Sequence, residues 1–573
     1  MTVPLVLSAP PEYLAAINNR LEALARDRFV PRLWARDPTL WTADPAGQAA
    51  VRAGLGWLRA PKDMAEAVSD LDRFAADLRQ DGYRQVLHMG MGGSSLAPLV
   101  FERTFPAEDG LRLSVLDTTD PATILAADRW AAGAPTLYIV ASKSGTTAEP
   151  LAFGEYFYAK RQAVASEAAG RDFAVVTDAG TPLANQAQQR RYRRVFTNAP
   201  DVGGRYSALT YFGLVPAVLA GIDISGVLDR ARRMAAACGP EVSPAQNPGV
   251  QLGAVMGELA RRGRDKVTFI VSESVATLGT WLEQLLAEST GKNGTGLLPV
   301  AGEALGGPGD YGVDRLFVYV RRRGETGGAI EDGIRALRDA MHPIVTVEMD
   351  DTLDVGHEFF RWEIATATAG AILGINAFDQ PNVQESKDIT NRLLETVRRD
   401  GRLAEPPPTQ TDGPLALYAD GAGGSLADAL ARFLRARRPG DYLAILAYLT
   451  ESVETERTLQ AVRLQVRDST RLATTLGYGP RYLHSTGQYH KGGPPTGLFL
   501  IITADDAEDA PVPGQPYTFG VFKRAQALGD LEALRSHDRR VVRVHLRGPV
   551  DAALVRLGEV TAAALAAGGS AVS

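Results

Sequence analysis

A chain of 573 residues is long enough for three or four domains of about 150 residues each. Its 45% hydrophobic and 22% charged content is that of a globular protein with a large core, and a net charge of −6 gives no electrostatic reason to expect nucleic acid or an anionic membrane as partner. The single cysteine, Cys238, excludes an intrachain disulfide and a thiolate metal cage.

The seven histidines form no ligand cluster, because His484 and His490 lie close together without carboxylates at metal-ligand spacing. The N-terminal Met-Thr-Val-Pro-Leu-Val-Leu has no basic n-region, and no apolar run approaches about 18 residues. A cytoplasmic location and no metal are therefore expected.

In chain order, residues 12 to 80 carry apolar side chains at helical spacing, as in Met64-Ala-Glu-Ala-Val-Ser-Asp-Leu-Asp-Arg-Phe-Ala-Ala-Asp-Leu. Strands and helices then alternate. Strands are predicted at 85–89, 113–116, 137–140, 173–176 and 194–196, which implies a parallel sheet covered by helices. A second series has strands at 267–271, 316–320 and 344–348. Residues 403–413, with Pro406-Pro-Pro408, read as a linker. A third series follows, with strands at 415–418, 442–446, 498–502 and 541–544. The expected division is an N-terminal helical segment (1–80), two α/β domains (81–225 and 226–402) and a smaller C-terminal α/β domain (414–573).

In open α/β sheets, ligands sit beyond the carboxyl ends of the strands. The first such loop is Met89-Gly-Met-Gly-Gly-Ser-Ser95, where glycines permit close backbone approach and Ser94 can bond a hydroxyl or a phosphate. A nucleotide reading competes here, since Gly90-x-Gly92 follows a strand and Asp117 ends the next as a ribose-binding acid would. The third glycine position, however, is Ser95.

The second loop, Ser142-Lys-Ser-Gly-Thr-Thr147, follows an apolar run and opens a helix. Thr146-x-x-Glu149 fits a capping box, so backbone N–H groups, the helix dipole and four hydroxyls would converge with Lys143 on an anion. Gly203-Gly-Arg-Tyr-Ser207 can deliver a fixed cation, Arg205, beside a ligand. Glu288 ends an apolar helix next to Gly-rich backbone, where a carboxylate can be desolvated and act as a base. His357 opens another helix, and Lys387 lies seven residues after Gln380. Taken singly, each of these is a turn, a cap or a solvated charge in most proteins.

In this order the motifs resemble the phosphoglucose isomerase family, built from two sugar isomerase (SIS) domains. They are Gly92-Gly93-Ser94, Ser142-Lys143-Ser144-Gly-Thr146-Thr147, Gly203-Gly-Arg205-Tyr-Ser207, Glu288-Ser-Thr-Gly-Lys292, Gly356-His357 and Gln380-x-x-Val-x-x-x-Lys387. The resemblance spans about residues 80 to 395. It implies two doubly wound parallel-sheet domains and reversible isomerisation of glucose 6-phosphate and fructose 6-phosphate.

The 142–147 loop with Ser94 would hold the phosphate. His357 and Lys387 would open the sugar ring, Glu288 would carry a proton between C2 and C1, Arg205 would stabilise the cis-enediolate, and Gln380 would orient substrate oxygens. The family's histidine comes from the partner subunit, so a homodimer is implied. No cofactor is needed. Ser95 and Ala97 replace the usual Asp and Gly, and Asn382 and Gln384 stand where Gly and Glu are common. This leaves open broader specificity, for mannose 6-phosphate or another anionic hexose. It leaves open also a non-catalytic sugar-phosphate sensor.

Ordinary family members stop soon after the lysine helix. Here the tail, with Tyr482-Leu-His-Ser-Thr-Gly-Gln-Tyr-His-Lys-Gly-Gly493 and Gln515-Pro-Tyr-Thr-Phe-Gly520, resembles the isomerase half of fused transaldolase–glucose-6-phosphate isomerases, as does Phe29 to Trp41. The transaldolase barrel would precede that segment, so no transaldolase activity is expected. The 482–493 loop either folds over the sugar site, contributing His490 or Lys491, or is a structural hairpin of the third domain.

Overall fold

The computed structural model describes residues 5–106, 110–325, 327–421 and 423–569; the outermost residues of the first and last expected domains lie outside these. The first sheet has the strand order Arg112–Leu116, Gln85–Met89, Thr136–Ala141, Phe173–Asp178, Arg194–Asn198, all parallel. Gln85–Met89 and Thr136–Ala141 are buried throughout, which is why they read as continuous apolar runs rather than as alternation.

The second sheet runs Leu5–Ser8, Ile344–Met349, Arg315–Arg322, Lys266–Val271, Leu298–Val300. Its outer strand, Leu5–Ser8, pairs antiparallel with Ile344–Met349, so the N-terminal segment begins as the edge of a sheet formed by residues more than 250 positions later. The third sheet runs Gln410–Asp412, Leu415–Tyr418, Arg540–Leu546, Gly497–Ala504, Tyr442–Tyr448, Ala473–Tyr478. Its first two pairings are antiparallel and the rest parallel.

Four of these strands lack a sequence signal. Leu5–Ser8 and Leu298–Val300 are too short for a period to show, Ala473–Tyr478 is an edge strand rich in polar residues, and Gln410–Asp412 lies in the expected linker. That linker is also tied down by Glu405, which accepts hydrogen bonds from Arg524 and Arg543.

The third sheet's helices pack into the first two sheets rather than hanging from a tether. Helix Phe519–Ser536 places Phe519 and Phe522 in one core with Phe153, Tyr156 and Val175 of the first sheet's layer. Burying each ring stabilises that junction by about 1.5–3 kcal/mol. Polar ties lie alongside. Asp117 takes two 2.8 Å bonds from Arg481, Asp120 takes Lys523 at 2.8 Å, and Thr119 donates to Gln526 at 2.7 Å. Among the described residues, no helix is long and apolar enough to cross a membrane.

Candidate active site

The chain leaves the buried strand Thr136–Ala141 through Ser142 and turns at Gly145, whose φ of 64° suits glycine and where a Cβ would stand 2.7 Å from that of Thr181. Helix Ala148–Ala165 follows. The loop's hydroxyls bond one another: Ser142 Oγ donates to Thr147 Oγ1 at 3.0 Å, and Ser144 Oγ lies 2.8 Å from Thr146 Oγ1. Lys143 points elsewhere, donating to Asp178 at 2.5 Å and to the Pro200 carbonyl at 3.2 Å. Its charge is thus neutralised beside the loop rather than offered to a ligand.

The capping box does not form. Thr147 is the N-cap residue without a side-chain cap bond, and Glu149 is buried, accepting from His484 Nε2 at 2.9 Å and Gln526 Nε2 at 2.7 Å. Burial alone would push the Glu149 carboxyl up. The charge and hydrogen bond of His484, with Lys387 further out, hold it below the ordinary carboxylate range.

Gly93 of the first loop packs directly on the arginine loop, because a Cβ there would lie 2.0 Å from the Gly204 carbonyl oxygen. Ser207 Oγ donates back to the Gly93 carbonyl at 3.3 Å. Ser94 is buried at the end of the short turn Gly92–Ser94, its carbonyl 2.6 Å from His88 Nε2.

Arg205 is buried, and every N–H it carries has a partner. Nε donates to Ser289 Oγ at 2.7 Å, one terminal nitrogen to Glu288 at 3.2 Å and to Gln380 Oε1 at 3.0 Å, and the other to the carbonyls of Ala377 at 2.7 Å and Asp379 at 3.0 Å. The guanidinium therefore fixes Glu288 and Gln380 in one cluster. Helix Leu278–Thr290 puts Gln284 one turn before Glu288, and Gln284 Nε2 donates to Glu288 Oε2 at 2.9 Å and to the His484 carbonyl at 2.9 Å. Lys292 lies just beyond, 2.8 Å from Asp379 Oδ1. Burial, then the charge of Arg205, lowers its pKa to about 8.

The other expected residues fall in two places. Lys387, on helix Val383–Asp400, lines a cavity of about 170 Å³ with Thr146, Thr147, Glu149, His484 and Gln526, so it does face the hydroxyl loop. His357 is buried at the start of helix Val355–Leu373, its Nδ1 3.0 Å from Asp354 Oδ1. Among the described residues it has no hydrogen bond or ion pair with Glu288, Arg205 or Gln380.

The 482–493 segment reaches the site through other residues than those expected. His490 Nδ1 is 2.8 Å from the Tyr442 hydroxyl, and Lys491 pairs with Asp530 at 2.7 Å, both inside the third layer. His484 and Gln488 face the site instead; Gln488 bonds the Gly291 carbonyl and Asn382. A sequence scan for charge and nucleophilicity passes over Gln284, Gln488 and Gln526, whose roles depend on what lies opposite them. Asp117, the residue a nucleotide reading needs, is occupied on both oxygens by Arg481, leaving no free carboxylate for a ribose.

A family model described as phosphoglucose isomerase matches residues 58–298. The chain is 32% identical over 372 residues to the glucose-6-phosphate isomerase of Rubrobacter xylanophilus, covering 55% of this chain and 84% of that protein. It is 27% identical over 352 residues to that of Methanocaldococcus jannaschii, covering 55% and 85%. The crystal structure of a hypothetical protein from Thermus thermophilus superposes with a TM-score of 0.58 at 25% identity, over 68% of this chain and 99% of that one. The chain belongs to the phosphoglucose isomerase family and is an isomerase.

Proposed function

We propose that the protein interconverts glucose 6-phosphate and fructose 6-phosphate through a cis-enediolate, with Glu288 as the base. One observation carries the reading: a carboxylate, held at one oxygen by Gln284, touches a fully satisfied buried guanidinium, and His484 links that Gln284 to Glu149 behind the hydroxyl loop. Proton transfer between C2 and C1 needs one carboxylate on one face of the sugar, and the enolate charge that develops needs a nearby preorganised cation. Glu288 and Arg205 supply these roles. Aldose and ketose differ only in proton positions, so the reaction consumes no oxidant or reductant.

The phosphate is held by Ser142, Ser144, Thr146 and Thr147 with the first-turn N–H groups, Ser94 lying in the neighbouring loop and Lys387 opposite. Lys387 and His357 open the ring, and Gln380 orients substrate oxygens. His357, paired with Asp354, is assigned to the site of a partner subunit in a homodimer on the family resemblance.

A coupled assay with glucose 6-phosphate and with mannose 6-phosphate tests the reading. Glu288→Gln is expected to lower kcat by about 10²–10⁴-fold. Turnover that persists in Glu288→Gln removes the base assignment, and no turnover of either sugar by wild type favours a sugar-phosphate sensor.

A further inference from the structure

Beyond the substrate site, a second cavity of about 300 Å³ opens between the second and third sheets. Its walls include the carboxyl ends of parallel strands: Ala301 and Gly302 follow Leu298–Val300, and Thr475 to Tyr478 end Ala473–Tyr478. Ligands of open α/β sheets bind at that end, where loop N–H groups and helix N-termini converge. Helix Leu278–Thr290 contributes Thr280 and Glu283 as a further wall.

Two buried polar atoms on the lining residues have no partner among the described residues. Thr475 Oγ1 and His490 Nε2 belong to residues 3% and 2% exposed, and neither makes a hydrogen bond. The other ring nitrogen of His490 is engaged by the Tyr442 hydroxyl, so the ring is held and Nε2 is its open valence. Buried polar atoms without partners are rare in folded proteins, and a polar molecule in the cavity would satisfy both.

The charges around the cavity are already spent. Arg463 donates to the Thr474 carbonyl with the carboxylates of Glu303, Glu283 and Glu456 close by, Arg481 is neutralised by Asp117 and Glu451, and Glu456 accepts from Tyr478 and Gln460. What remains is hydroxyl, imidazole and the half-buried carboxyl of Glu283, with tyrosine rings from Tyr478 and Tyr482. Both guanidiniums of the lining thus stand among carboxylates, Arg481 paired and Arg463 only near them, so among the described residues no surplus positive charge is left for a phosphate, whereas hydroxyl donors and acceptors beside aromatic faces suit a sugar. We propose that this cavity is a second binding site, for an uncharged polyhydroxylated molecule of monosaccharide size.

The site is coupled to the first by construction. Thr280 and Glu283 share a helix with Gln284 and Glu288, and Ser485, on the cavity wall, follows His484, whose carbonyl holds Gln284. A ligand here therefore bears on the same side chain that orients Glu288.

The test is calorimetric titration of the full-length protein with D-glucose and with D-glucose 6-phosphate, for wild type, Thr475→Val, His490→Phe and Thr147→Ala. Saturable D-glucose binding is expected, weakened about tenfold or more by Thr475→Val and by His490→Phe, and changed less than about twofold by Thr147→Ala. Should His490→Phe fail to fold, the near-isosteric Thr475→Val carries the comparison. Absence of saturable D-glucose binding overturns the proposal. So does binding lost in Thr147→Ala but kept in Thr475→Val, which puts the sugar in the isomerase site. Displacement of D-glucose by D-glucose 6-phosphate from a Thr475-dependent site overturns the ligand class. None of these readouts is turnover, so they stand whatever the isomerase assay gives.

Discussion

His484 Nε2 lies 2.9 Å from Glu149 Oε1 across 335 positions of sequence, and the same residue's carbonyl accepts from Gln284, which also bonds Glu288. One residue of the third layer thus touches the helix that opens behind the hydroxyl loop and the side chain that orients Glu288. Removing the ring leaves the Glu149 charge behind the hydroxyl loop with, among the described residues, Gln526 as its side-chain hydrogen-bond partner and Lys387 further out. His484→Ala is expected to raise KM for glucose 6-phosphate about tenfold, or about 1.4 kcal/mol, through repulsion of the phosphate. Adding Glu149→Gln removes that charge and is expected to recover most of the loss. Steady-state kinetics of the two single variants and the double variant decide it. A double variant no better than His484→Ala contradicts the charge argument.

The placement of His357 makes a prediction about assembly. If each site draws Glu288 from one subunit and His357 from the other, separately inactive Glu288→Gln and His357→Asn proteins regain activity when mixed and refolded together. Statistical pairing gives about a quarter of wild-type activity, since half the dimers carry one intact site. Mixing that restores nothing assigns both residues to one subunit.

Lys292 predicts an alkaline signature. Its pKa falls from the ordinary lysine value of 10.5 to about 8, burial being the main cause. A lysine with a lowered folded value binds fewer protons folded than unfolded across that interval. Its destabilising contribution is therefore fully present below pH 8 and is relieved as pH rises toward 10.5. Urea unfolding at several pH values is expected to show stability gained by wild type relative to Lys292→Met over this window. A wild-type-minus-variant difference that is flat with pH refutes the assignment.

Gly93 and Gly204 make a matched pair. A Cβ at Gly93 would collide with the Gly204 carbonyl oxygen at 2.0 Å, whereas a Cβ at Gly204 meets nothing within 4 Å. Gly93→Ala is expected to separate the two loops and lower kcat/KM about 10²-fold, because displacements near 1 Å misalign reacting groups. Gly204→Ala is expected to stay within about threefold of wild type on the same argument. Equal effects would mean that loop contact is not what the glycine protects.

The third layer is held to the first by Arg481 and Asp117. Arg481→Met leaves Asp117 buried and unpaired, which is expected to cost about 2–3 kcal/mol in chemical denaturation. That is below the range for a fully buried pair because Arg481 keeps 20% of its side-chain surface exposed. Asp117→Asn in the same background is expected to restore part of it. A single variant as stable as wild type would show the tie to be dispensable.

Much of this was legible in the chain itself. The longer buried parallel strands announced themselves as apolar runs, and the glycine, hydroxyl and arginine motifs followed their carboxyl ends, with the glutamate motif near the end of a helix. The failures share a physical cause. Thr146-x-x-Glu149 satisfies a local capping rule, but Glu149 is claimed by His484 and Gln526, partners a window of four residues does not contain. Lys143 has the composition of an anion ligand, yet Asp178 at the end of the next strand takes its charge.

By itself, then, the sequence determined the succession of α/β units, the glycine and hydroxyl loops that follow the strands, and the family to which the chain belongs. Local periodicity and glycine conformational needs suffice for the first two. Only the tertiary structure decided which side chains meet: that Arg205 clamps Glu288 to Gln380, that His357 sits on Asp354, and that the third layer enters the site through His484 and Gln488 rather than His490 or Lys491. Hydrogen bonds and ion pairs act over about 3 Å, whatever the separation along the chain, so their partners are set by packing.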